Sequence, residues 1–291
     1  MRVGIVILPE DRWWIAEPKW RAAEEYGFAH AWTCDRLGGG GADAPWFSAV
    51  PTLTAAAAVT STIRLGTLVS TPEHRHPVPF ARDLLTLDDL SDGRITLGLG
   101  AGRGEDEALL GGDPPTAGQR LDRFTEFVTA LDRLLAQDRT TWNGERYAAV
   151  DVGSAPGCVQ RPRLPFTIAA TGPRALAVAA AFGTGWVTTG AAAEDDDAWW
   201  TGVAALARRF DAALAAADRP RARVDRHLVL DAAPVYSLSS VERFRDAAGR
   251  AAELGFTDVV VHWPRGDGPY AGREAVVERV AEEVLPELAA G

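Results

Sequence analysis

Few side chains in this chain have the type and spacing that chemistry requires, and most of them stand just after apolar runs. Asp35 and Arg36 follow the run 29–34, so a carboxylate and a guanidinium leave the end of a buried segment together. The carboxylate either orients a substrate or bridges a neighbouring arginine. Gly100, Ala101 and Gly102 follow the run 95–99 and lead into Arg103 and the acids 105–107. Small residues there either admit a ring or phosphate close to the backbone or only let the chain turn tightly. Gly190 removes a side chain after another apolar run. Thr171 and Gly172 precede Pro173, which suits the first turn of a helix. Free N–H groups at a helix start attract a phosphate, and the same residues also serve as an ordinary cap. His262 closes the last apolar run and either faces a site or donates to backbone. Trp46, in Ala-Pro-Trp-Phe, is a candidate pocket wall.

Other reactive types have plainer readings. His74 and His76 form an H-x-H pair with no third or fourth ligand nearby, so no metal is assigned. Cys34 reads as a packed small residue, since no base adjoins it. The acids 195–197 read as the negative start of a helix. No nucleophile–base pair is present at these positions. Such a set suits a flat or phosphorylated ligand whose own chemistry does the work.

The elements that must position these residues follow a regular beat. The stretch 63–102 holds two apolar runs, 63–69 and 95–99, around a helix-spaced series Phe80, Leu84, Leu87 and Leu90. That is a βαβ unit, whose parallel strands need a covering crossover. Strands are expected at 3–8, 29–34, 63–69, 95–99, 166–170, 186–189, 228–233 and 257–262. Helices are expected at 20–26, 48–61, 80–90, 119–136, 173–182, 196–217, 241–254 and 273–288. Residues 10–18 read as a loop, and Gly27 as the left-handed stop of the first helix. A glycine tract, 38–41, follows Asp35-Arg36. Residues 140–165 interrupt the beat with a small hairpin turning at Asn143-Gly144. Eight strand–helix units predict an α/β fold, a single (β/α)₈ TIM barrel over 1–291 with an insertion after the fourth unit. A doubly wound sheet is the other architecture with this alternation. The run Gly98, Gly100, Gly102 carries Arg103 and Glu105 where the dinucleotide fingerprint needs glycine, which favours the barrel.

The totals exclude several classes. Net charge is -10 over 291 residues, which disfavours a nucleic-acid surface. No apolar run reaches about 18 residues, so no membrane span is expected. Two separated cysteines and the lack of a leader pattern point to a reducing, cytoplasmic setting.

The blocks "AAEEYGFAHAWTCDR", "IRLGTLVSTPEHRHPVPFARDLLTLDDLSDGRITLGLGAGRGEDE", "TTWNGERYAAVDV" with "VQRPRLPFTIAATGPRALAVAAAFGTGWVTTG", and "AAELGFTDVVVHWP" occur in this order. Together they resemble the luciferase-like monooxygenase superfamily, in its branch that uses the deazaflavin coenzyme F420. The resemblance implies a (β/α)₈ barrel with an insertion and hydride transfer between F420 and a small organic substrate. It implies a non-prolyl cis peptide behind the ring, at Leu68-Val69 here, with Gly100, Ala101 and Gly102 alongside. Phosphate contacts map to Thr171, Gly172, Pro173 and Gly190. The family's Asp-His pair after strand two is Asp35-Arg36 in this chain, which puts that histidine's role in doubt. Asp35, Arg36 and His262 are then the candidate catalytic groups, and Trp46 and Arg103 line the substrate pocket. Arg103 stands where sugar-phosphate dehydrogenases of the family place a glutamate, and Thr184 where an aspartate is usual. The alternatives are an FMN-dependent monooxygenase using O2 on the same fold and a non-catalytic cofactor-binding barrel. A homodimer is the assembly the resemblance implies.

Overall fold

The first helix ends where its sequence says it must. In a computed structural model describing residues 1–39 and 44–290, Gly27 has φ +81° and donates to Glu24 O, while Phe28 donates to Ala23 O. This pair of bonds satisfies the last carbonyls and turns the chain back into the sheet. Gly40 and Gly41 of the glycine tract lie outside the described residues.

In chain order the first half comprises β1 (Arg2–Val6), α1 (Trp13–Glu25), β2 (His30–Thr33), α2 (Ala49–Val59), β3 (Arg64–Thr67), α3 (Pro77–Leu90) and β4 (Ile95–Leu99). A short α4 (Glu105–Leu109) and the long α5 (Ala117–Ala136) follow, then the antiparallel hairpin β5 (Arg139–Asn143) and β6 (Ala148–Gly153). The second half is β7 (Phe166–Ala169), α6 (Pro173–Phe182), β8 (Gly185–Thr188), α7 (Asp196–Ala216), β9 (Asp225–Val229), α8 (Val241–Glu253), β10 (Asp258–His262), α9 (Glu274–Glu283) and α10 (Leu285–Ala290). The parallel strands close in the order β1-β10-β9-β8-β7-β4-β3-β2. This is the expected barrel, with the hairpin as the insertion after its fourth unit.

Strand alternation sorts the side chains. Val6, Trp32, Val187, Val229 and Val260 pack inside the barrel, and Leu8, Cys34, Leu68, Val69 and Ala169 pack against them. Their neighbours in sequence face the helices. On α5, Phe124, Phe127, Val128, Leu131, Leu134 and Leu135 are buried, and Thr116 and Gln119 form a capping box at its start. Each such side chain contributes roughly 1.5–3 kcal/mol on burial.

Besides strand and helix ends shifted by a few residues, the larger differences from the sequence reading are these. Helix α1 starts at Trp13, with Pro18 inside it, where a loop was expected; Pro18 removes one helical hydrogen bond, and Ala16, Trp20 and Ala23 still bury one face. Strand β9 starts at Asp225 because Arg226 and His227 are buried in the fold, Arg226 paired with Asp211. Helix α4 forms in what reads as loop. The last helix is split at Val284. Leu90, at the end of α3, is exposed.

Candidate active site

The carboxyl ends of the barrel strands form a mouth above the interior valines, and three polar groups of different character surround it. The first joins β2 to the loops after β3 and β4. Asp35 is buried. Its Oδ2 accepts from Ser70 Oγ at 2.5 Å and Arg75 Nε at 2.7 Å, and its Oδ1 from Arg75 Nη2 at 2.6 Å. Burial alone would raise the Asp35 carboxyl; the nearby His74 and the hydrogen bonds from Arg75 and Ser70 outweigh it and hold it at about 2. His74 lies between two carboxylates, 3.6 Å from Asp35 and 3.2 Å from Asp106. Buried Glu73 accepts from the N–H groups of Gly104 (2.5 Å) and Asp106 (3.1 Å), tying the loop after β3 to the start of α4. Arg36 turns outward to Glu105 and does not pair with Asp35. Its carbonyl accepts from Trp46 Nε1 at 3.1 Å, which fixes Trp46 at the edge of the mouth. Arg103 is exposed on the rim. His76 caps α3 through Nδ1 and sits edge-on to Tyr147.

The glycines of the rim make room chiefly for their own chain. The Leu68–Val69 peptide is cis. A Cβ on Gly100 would lie 2.7 Å from Val69 Cγ2, and one on Gly102 would run into the Glu73 carboxylate. Ala101 lies between them, half-buried. Gly190, with φ +70°, is buried; its absent Cβ faces the Trp199 ring at 2.6 Å, and its N–H donates to Thr188 Oγ1. The space read there as room for a ligand is filled by Trp199.

The second group is the start of α6. Thr171, Gly172 and Pro173 are exposed, Gly172 is the N-cap, and no side chain caps the helix. A Cβ on Gly172 would meet nothing within 4 Å. The uncapped N–H groups therefore open onto free space beside the mouth.

The third group closes β9 and β10. His262 alternates with Val260 and so points into the mouth. Asp231 Oδ2 accepts from the His262 N–H at 2.5 Å and from its Nδ1 at 3.1 Å. Asp231 Oδ1 accepts from the N–H (3.0 Å) and Oγ (2.5 Å) of Ser237. Tyr270 stacks on the imidazole at 3.9 Å, 8° from parallel, and Tyr236 donates to the His262 carbonyl at 2.7 Å. Cys34, lower in the mouth, has its thiol pushed up to about 12 by burial and stays protonated.

Asp231, Tyr270, His74 and Arg75 were not singled out as site residues from sequence. The run Pro-Glu-His-Arg-His directly after a strand was the available signal for the last two.

The opposite pole of the barrel also holds histidines and an acid. His30, His227 and Asp258 are all buried, with ligand-type atoms within 4.8 Å of one another. Trp32 Nε1 donates to His30 Nδ1 at 2.5 Å, so His30 carries its proton on Nε2 and donates it to Asp258 Oδ1 at 3.0 Å. A cation at Nε2 would have to displace that proton, so the donor set does not suit a metal. Asp258 Oδ2 is taken by Arg2 (2.7 Å) and Thr257 Oγ1 (2.6 Å). A cavity of about 660 Å³ lies outside this cluster, lined by Arg2, Gly27, Asp225, Phe256 and others. Its charged residues are already paired, Arg2 with Asp225 and Asp258. Among the described residues no helix is long and apolar enough to cross a membrane.

Comparison with known proteins agrees with this geometry. An F420-dependent glucose-6-phosphate dehydrogenase of Beutenbergia cavernae is 31% identical over a 321-residue alignment that covers 92% of this chain and 91% of that protein. A 5,10-methylenetetrahydromethanopterin reductase of Archaeoglobus fulgidus is 27% identical over 266 residues, 91% of this chain and 71% of that one. A solved F420-dependent secondary alcohol dehydrogenase, in complex with an F420–acetone adduct, has the same fold: TM-score 0.84 at 16% identity, over 99% of this chain and 98% of that chain. The family model described as luciferase-like monooxygenase matches residues 18–283, and the chain belongs to that family.

Proposed function

We propose that this protein is an oxidoreductase that binds coenzyme F420 across the carboxyl rim of the barrel and transfers a hydride between it and a small organic substrate. The observation that carries the reading is the uncapped, open start of α6 beside an apolar mouth floored by Leu68 and Val69. The F420-dependent names of relatives aligned along nearly the whole chain support it.

The residues fit the group in stages. Thr171, Gly172 and Pro173 form the turn at which the free N–H groups of the first turn of α6, on Arg174 and Ala175, would meet the phosphate; Pro173 has no N–H of its own. Leu68 and Val69, backed by Gly100, Ala101 and Gly102, give a flat wall without charge for the ring. Gly190 acts one step removed, by letting Trp199 pack beneath the neighbouring loop. When bound, the deazaflavin supplies a carbon centre that accepts or donates hydride. Asp35 is held ionised by Arg75 and stiffens the wall beside that centre. Arg36, Trp46 and Arg103 border the approach of the substrate, and His262 offers a nitrogen for its proton. The same reading includes a cytoplasmic homodimer, which sedimentation and fractionation test.

The test is fluorescence titration of the purified chain with F420 and FMN in parallel. Saturable F420 binding is expected, and Gly172→Val should abolish it with the fold unchanged, since the new side chain enters open space. Preference for FMN with oxygen uptake would replace the proposal by a monooxygenase. F420 affinity unchanged in Gly172→Val would remove the phosphate assignment.

A further inference from the structure

We propose that Asp231 is a positioning residue that fixes His262 as the proton acceptor for an alcohol–carbonyl couple, so that proton transfer in this chain is served from β10 and not from the β2 end. The inference rests on the cofactor reading above and adds the base, its support and the substrate class.

Donors and acceptors around Asp231 fix the imidazole tautomer. Asp231 receives four hydrogen bonds: the Ser237 N–H and hydroxyl, the His262 N–H and the His262 ring. An ionised carboxylate only accepts, so His262 Nδ1 carries a proton, and in the neutral imidazole the lone pair is then on Nε2. No residue among those described bonds Nε2. Two further contacts hold His262: Tyr270 stacks on one face of the ring, and Tyr236 donates to the backbone carbonyl.

The other groups of the mouth do not offer such a lone pair. Asp35 is saturated by Ser70 and Arg75. Arg36 is permanently protonated. His74 has a carboxylate beside each nitrogen. Cys34 stays a neutral thiol. Hydride leaving a carbon must be matched by loss of a proton from its neighbour, and a hydroxyl is the neighbour an imidazole nitrogen fits. In the oxidative direction the O–H bond breaks with its proton passing to Nε2, the C–H bond breaks with its electron pair passing as hydride to the bound deazaflavin, and C=O forms. Reduction of a carbonyl runs the same steps backwards.

The experiment uses full-length protein, F420 and three secondary alcohols: propan-2-ol, cyclohexanol and 1-phenylethanol. F420 reduction is expected with at least one. Asp231→Asn should lower kcat by about 10²-fold or more, the range of acid–base contributions, with KM and F420 affinity changed less than about twofold. Asp231→Glu should recover part of kcat. His262→Gln should lose as much as Asp231→Asn, and the double variant no more. ¹⁵N spectra of histidine-labelled protein should show the Nδ1–H tautomer at His262 in the wild type and its loss in Asp231→Asn. F420 binding without reduction by any of the alcohols overturns the inference and leaves the cofactor reading standing. An Nε2–H tautomer in the wild type, or an Asp231→Asn loss confined to KM, also overturns it. Absence of F420 binding defeats the cofactor reading itself.

Discussion

The two ends of the barrel are built from the same parts and differ in one hydrogen bond. Each carries a buried aspartate against a histidine: Asp258 with His30 at the amino pole, Asp231 with His262 at the carboxyl mouth. At the pole Trp32 donates to the second nitrogen of His30, Arg2 takes the second oxygen of Asp258, and every polar atom of that pair is occupied. At the mouth the second nitrogen of His262 is left without a partner among the described residues. Residue types alone therefore do not separate a structural pair from a reactive one. The donors around the pair do.

Removing the acid at each end breaks this comparison most sharply. Asp258→Ala leaves the buried Nε2–H of His30 without an acceptor, while half-exposed Arg2 keeps Asp225. With the bonds from Arg2 and Thr257 also gone, it should cost about 3 kcal/mol of stability by chemical denaturation, the upper range for a stranded buried donor. F420 affinity of the folded fraction should not change.

Acid acts on the same pole with a definite sign. Burial, opposed by Asp258, holds the His227 imidazole down at about 4, from an ordinary 6.5. Between those values the unfolded chain binds the proton that the folded chain refuses, so stability falls as pH drops from 6.5 towards 4. The loss should reach roughly 3 kcal/mol, and His227→Phe should flatten the slope in that window. Asp258 and Asp35, both held below the ordinary carboxyl range, add their losses only at lower pH.

Glycines sharpen the contrast on a smaller scale. Gly190→Ala meets a positive φ and the Trp199 ring, so about 1–3 kcal/mol should be lost. Gly172→Ala meets nothing within 4 Å, and its entropic gain in the unfolded chain is offset by alanine being the poorer N-cap, so stability should change by less than about 1 kcal/mol. Calorimetry of the two variants gives the difference directly. Arg36→Ala removes only an exposed pair with Glu105 and should change stability by less than about 1 kcal/mol.

The barrel was legible in sequence because its strands are unbroken apolar runs and its crossovers carry helical spacing. It was least legible where polar residues are buried. Strand β9 begins with Asp225, Arg226 and His227, and an apolar criterion skips all three. Arg226 is buried against Asp211, the Ala207 carbonyl and the Trp186 and Phe210 rings, partners invisible along the chain. Pro18 disguised the first helix in the same way, since a breaker is read locally while burial of Trp20 is not. Within the mouth, Asp35 and His262 were marked by standing at strand ends. The groups that decide their chemistry are Arg75, 40 positions from Asp35, and Asp231, 31 positions from His262. Gly190 shows the converse case, a position read from its small size as room for a ligand and packed instead against an aromatic ring.

The carboxyl mouth is the claim on which the rest depends, and a crystal structure of the chain grown with F420 tests it most directly. Density for the ring over Leu68–Val69, with the phosphate on the N–H groups at the start of α6, is the predicted result. Density in the cavity beside Arg2 and Asp225, or a phosphate held away from Gly172, would contradict the account.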